Sequence, residues 1–131
     1  MAKTIDWDTK RETWLTLVNS LVSDIATWAE EQGWPVHRDE KQLKEEHLGQ
    51  YSVPDLVIRL PGGRIIVEVV GRNIIGAEGR VDIEAFPSMN RMLLVRQGDK
   101  WKVKTDARVD WPRPWSKKTF LELAKVLTAQ E

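Results

Sequence analysis

Two short apolar runs flank a glycine pair near the middle of this chain, and that arrangement limits its fold more than any other feature does. Asp55-Leu56-Val57-Ile58-Arg59-Leu60 is followed by Pro61-Gly62-Gly63-Arg64 and then by Ile65-Ile66-Val67-Glu68-Val69-Val70. Runs rich in β-branched residues, joined by a reversal too short for anything but a turn, read as a β-hairpin. With Gly62-Gly63 as a two-residue loop, Ile58 faces Val67 and Leu56 faces Val69. One side of the ribbon is then wholly apolar: Leu56, Ile58, Leu60, Ile65, Val67 and Val69. The other side carries Asp55, Arg59, Arg64 and Glu68 among Val57, Ile66 and Val70. A three-residue loop would mix charges into both sides and bury at least one of them without a partner, which is costly.

A ribbon with one apolar side needs cover, and both ends of the chain supply it. Trp14, Leu17, Val18, Leu21, Val22, Ile25, Trp28 and Ala29 recur at three- and four-residue spacing, the signature of an amphipathic helix of about six turns. Asp8 or Thr9 is suited to cap its start, and Gly33-Trp34-Pro35 stops it. Near the other end, Ser116 is placed to cap a helix whose inner face is Phe120, Leu123, Ala124 and Leu127. Between the hairpin and that helix, Val81, Ile83 and Ala85 alternate with acids, Met92 to Val95 resumes as a strand, and Gln97-Gly98-Asp99-Lys100 turns back into Trp101, Val103 and Thr105. Lys102 and Lys104 then face away from Trp101. The polar stretch from Val36 to Leu43 suits an edge strand or an extended arm. Asp110 to Trp115 is too proline-rich for a helix or a central strand. The predicted architecture is one α+β domain over residues 1–131, with a mostly antiparallel twisted sheet of about five strands and an N-terminal and a C-terminal helix packed on it.

Composition narrows the function classes. The chain has no cysteine, so disulfides and thiolate metal sites are excluded. Neither a leader-like apolar run at the N-terminus nor a membrane-length apolar stretch is present, so the expected setting is cytoplasmic, with no membrane partner. Net charge is zero, yet residues 91–118 hold nine Lys/Arg against three Asp. That stretch is the one place where the sequence suggests a polyanion partner.

The pair that carries chemistry is Pro54-Asp55 and, one strand later, Glu68-Val69-Val70. It resembles the PD-(D/E)XK nuclease family. The resemblance spans about residues 8–72 and implies that Asp55 and Glu68 together hold a divalent metal, Mg²⁺, beside a phosphodiester. Carboxylates suit that task because Mg²⁺ takes oxygen ligands. Val70 stands at the family's lysine position, with Arg72 or Lys41 as stand-ins, so a catalytically inactive member is one reading. An upstream acid would be Glu30, Glu31, Glu45 or Glu46. The family also places a helix after the second acidic strand, where this sequence alternates as a strand. The plainer alternative is that Glu68 pairs diagonally with Arg59 on a solvated face.

A second constellation combines Arg72, Lys102, Lys104 and Arg113 with Trp111 and Trp115. Cations meet phosphates and exposed indoles stack on bases, so these residues suit a non-catalytic module that binds nucleic acid or a protein. The competing use of Trp111 and Trp115 is to clamp the last helix onto the domain. A third reading is a small homo-oligomeric scaffold, a homodimer that buries some of the seven tryptophans. His37 and His47 have no second histidine at ligand spacing.

Overall fold

The structure, a computed structural model, describes residues 6–74, 76–105 and 114–128. The elements run α1 (Trp7–Glu31), β1 (Val36–Glu45), β2 (Gly49–Leu60), β3 (Gly63–Gly71), β4 (Arg80–Phe86), β5 (Arg91–Gln97), β6 (Lys100–Thr105) and α2 (Lys117–Thr128). This is the expected α+β arrangement, with six strands rather than about five, because the polar stretch after α1 pairs along its whole length as β1. All neighbours are antiparallel, and sheet order equals chain order.

The stripe read in the sequence is the buried face of α1: Trp14, Val18, Leu21, Val22, Ile25 and Ala29. Its cap is Asp6, not Asp8 or Thr9. Asp6 Oδ1 accepts from Thr9 N at 3.0 Å and Oδ2 from the Thr9 hydroxyl at 2.7 Å, so the helix begins two or three residues earlier than expected. Gly33, at φ 80°, lets the chain leave. On α2, Ser116 Oγ accepts from Thr119 N at 3.2 Å as expected, and Phe120, Leu123, Ala124 and Leu127 are buried. The Trp28 ring lies 5.8 Å from Trp115 and 6.0 Å from Phe120, which ties the helices together over one face of the sheet. The core fills the space between. The opposite face carries no covering element among the described residues.

The central hairpin has a two-residue loop, but the loop is Pro61-Gly62, not Gly62-Gly63. Leu60 pairs with Gly63, Ile58 with Ile65 and Leu56 with Val67. Pro presets the first corner of such a turn, and Gly62 takes the second at φ 84°, a conformation that other residues adopt only with strain. The register differs from the expected one by two residues. Two is the side-chain period of a strand, so both faces keep their composition. Leu56, Ile58, Ile65, Val67 and Val69 are fully buried, and Glu68 is exposed.

Strand β2 outruns β3, and its ladder with β3 ends at Leu56–Val67. Beyond that point the inward set switches from Leu56 and Ile58 to Tyr51 and Val53, across the buried Pro54, while the register with β1 stays unbroken. The β1–β2 ribbon therefore rolls about its own axis as it leaves the sheet, as two-stranded ribbons readily do. Its tip docks on α1: Trp7 stacks on His47 at 4.6 Å, Arg11 donates to Leu48 O at 3.1 Å, and Trp14 Nε1 donates to the Tyr51 hydroxyl at 3.2 Å.

Trp14 also fixes the connection between β3 and β4. A Cβ added at Gly79 would stand 2.1 Å from the indole, and Gly79 sits at φ 148°. Gly79→Ala is expected to destabilise by roughly 2–4 kcal/mol through overpacking and backbone strain. Gly76→Ala has open space around it and should cost only about 1 kcal/mol. Chemical denaturation of the two variants checks the contrast. A separate expectation concerns Asp6, whose carboxyl the Thr9 amide holds below its ordinary value. A lowered carboxyl pKa contributes stability above the unfolded value and loses it as pH falls through the folded one. Asp6→Asn should therefore flatten the acid limb of a Tm-against-pH curve, lying slightly below the wild type near neutral pH and approaching it as pH falls.

Candidate functional site

Asp55 stands where β2 parts from β3. At that point Val69 N loses its strand partner, and Asp55 Oδ1 accepts from it at 2.9 Å. The other oxygen, Oδ2, meets Lys41 Nζ at 3.0 Å. Lys41 lies on β1 opposite Val53, and the roll of the ribbon brings its ammonium over the outer face, 3.8 Å from Glu68 Oε1. Lys41 and the two acids named from the sequence thus meet on one side of the sheet. Asp55 and Lys41 are about three-quarters buried (23% and 27% exposed), and Glu68 is open to solvent at 59%. The pairing of Glu68 with Arg59 is not found among the described residues: Arg59 sits opposite Arg64, and Glu68 turns to Lys41.

The next strand extends the cluster. Glu68 pairs in register with Asp82, whose two oxygens Arg80 grips at 2.7 and 2.9 Å. The bond to Asp82, with the field of Glu68 behind it, raises Arg80 above the usual arginine value, so this guanidinium stays charged. Three carboxylates and two cations therefore alternate across the open face, each acid within reach of a positive group.

The other sequence candidates lie elsewhere. Val70 is half-buried on the outer face of β3. Arg72 is past the end of β3 and forms no hydrogen bond or ion pair with Lys41, Asp55 or Glu68. Its amide donates to both oxygens of Glu45 at 3.1 and 3.0 Å, and Asn73 N donates to Glu45 Oε1 at 2.8 Å. The Tyr51 hydroxyl also donates to Glu45; burial, and then this carboxylate, push the phenol above its ordinary range, so it keeps its proton. Glu45 is thereby a clasp between the ends of β1 and β3. Of the other upstream acids, Glu31 pairs with Lys117 and Glu46 with His47. Lys104, Leu93, Asp82 and Glu68 form one cross-strand row, which puts Lys104 roughly 14 Å from Glu68 at the usual strand spacing. Lys102 is further along β6. Trp115 is half-buried between Trp28 and Phe120, the clamp arrangement. Trp111 and Arg113 fall outside the described residues.

Two carboxylates on one face match what Mg²⁺ draws from a protein when water and substrate phosphates complete its shell. No group of three or more His, Cys, Asp or Glu suited to a metal occurs among the described residues. Also among the described residues, no helix is long and apolar enough to cross a membrane. Comparison with protein-family models, with curated proteins and with solved structures gives no match.

Lys41 is the member of this cluster that the sequence pattern named only as a stand-in, and Glu45, named as an upstream acid, is instead the clasp between β1 and β3. The signal for Lys41 is positional: in a hairpin that turns at Glu46 to Leu48, it falls diagonally across from Asp55. Because Asp55 also satisfies a backbone amide, Asp55→Ala is expected to cost about 1–3 kcal/mol. Asp55→Asn keeps an acceptor for Val69 N and should cost less. Urea denaturation of the pair separates the backbone role from the charge.

Proposed function

We propose that this chain is a PD-(D/E)XK-like nucleic-acid-processing domain whose working residues are Asp55, Glu68 and Lys41. The observation that supports the reading is the reach of Lys41 Nζ to both acids, 3.0 Å from Asp55 and 3.8 Å from Glu68. A lysine from β1 then stands in for the one that Val70 replaces. In this role Lys41 orients the two carboxylates side by side and keeps a positive charge where a phosphate would approach. The Asp55 bond to Val69 N fixes one oxygen and leaves the other to share. Arg80 holds Asp82 in a fork and so keeps a third acid from pairing with Lys41. When bound between Asp55 and Glu68, a Mg²⁺ ion would lower the pKa of a water and take up phosphate charge.

The test measures Mg²⁺ or Mn²⁺ binding by thermal shift, and cleavage of labelled single- and double-stranded oligonucleotides, in the wild type and in Asp55→Asn, Glu68→Gln and Lys41→Met. The expected result is a metal-dependent rise in Tm that both acid variants abolish. Cleavage should drop at least 100-fold in each acid variant and in Lys41→Met. Metal-independent melting together with absent cleavage would remove the reading.

One observation favours a second, non-catalytic reading. Lys100 and Lys102 are exposed on the edge strand β6, with Lys104 on the same face, which suits electrostatic contact with a polyanion. Trp101 belongs to the packing, 6.1 Å from Trp14, so this version rests on charge alone. Elution from heparin should then move to clearly lower salt in Lys100→Glu/Lys102→Glu. Elution unchanged by that substitution would exclude it.

A further inference from the structure

Where the chain leaves β3 it passes beside the first turns of α1, and a cleft of about 370 Å³ opens between them. Lys10, Thr13, Arg72 and Glu78 line it with the half-buried Leu17, above the buried Trp14. It shares no residue with the Lys41 cluster.

The frame around this cleft is fixed by hydrogen bonds. Glu45 holds the Arg72 and Asn73 amides, Tyr51 donates to Glu45, and Trp14 donates to Tyr51. Trp14 beneath the cleft and the Arg72 backbone beside it are therefore links of one chain of bonds, so the cleft is preformed. The charges that line it are not spent on one another. Among the described residues Lys10 has no ion pair, Glu78 has none, and the Arg72 guanidinium reaches only the amide oxygen of its neighbour Asn73, at 3.4 Å. Of the charged residues that line the cleft, two are cations and one is an acid. An Arg and a Lys lining one cleft are suited to grip the anionic end of a small organic molecule.

We propose that this cleft binds a small organic anion, a phosphate monoester or a carboxylate, held by Lys10 and Arg72 with its apolar part against Leu17. Glu78 sets the limit on charge, because a second negative group on the ligand would meet it.

The test is an amide NMR titration of the full chain at constant ionic strength, with inorganic phosphate in one arm and benzoate in the other, and sodium chloride as control. Saturable shifts are expected around residues 9–17 and 72–79 in at least one arm. Phosphate alone saturating assigns the phosphate class, and benzoate alone the carboxylate class. Lys10→Gln and Arg72→Gln should each weaken binding about tenfold, the scale of one charged hydrogen bond. Glu78→Gln should tighten it, an opposite sign that loss of folding cannot imitate. Shifts that chloride reproduces, or an affinity that none of the three substitutions changes, would overturn the proposal.

Discussion

The amide of Val69 is the point on which the site's geometry turns. In an uninterrupted ladder β2 would satisfy it, but β2 rolls away at Asp55 to carry its far end toward α1. A buried N–H left without a partner costs roughly 1–3 kcal/mol, whereas a partly exposed ion pair contributes less than about 1. The bond from Val69 N to Asp55 therefore governs where the carboxylate sits, and the contact with Lys41 follows from it. The same roll delivers Glu45 to the end of β3 and Tyr51 to Trp14. An acid read from sequence as chemistry is also part of the backbone's own bonding.

What could be read in advance divides along a physical line. The α1 stripe, the Ser116 cap and the two faces of the central hairpin follow from periodicity and local chemistry, which a sequence states directly. The Asp6 cap was obscured because Asp8 and Thr9 offer the same acceptor chemistry within three residues. The turn was misplaced by one residue because Pro61-Gly62 and Gly62-Gly63 are both good turns, and a shift that preserves the faces leaves no trace in the pattern. Lys41 lies in a polar strand with no period to read. The clasp role of Glu45, named only as a candidate upstream acid, was hidden for a different reason: its partners are the amides of Arg72 and Asn73, and backbone groups have no sequence signature.

The described tryptophans that meet another ring are packing groups. Seven indoles in a chain this size invite thoughts of stacking on bases. Yet Trp7 stacks on His47, Trp14 meets Trp101, and Trp28 meets Trp115. In each pair the indole joins α1 to a segment distant in sequence: the β1–β2 tip, the last strand, or the lead into α2. Two helices over one side of a six-stranded sheet cover little width, and large rigid side chains fill what aliphatic residues would leave open.

The last strand of the sheet has its own consequence. A terminal strand offers unpaired amides and carbonyls to any passing chain, and an apolar terminus of this kind invites stacking into fibres. Here Lys100, Lys102 and Lys104 recur at alternate positions on one side of that rim. An identical rim brought alongside would set ammonium groups against one another at close spacing. The row thus works as a bar to runaway self-association, whatever else it touches.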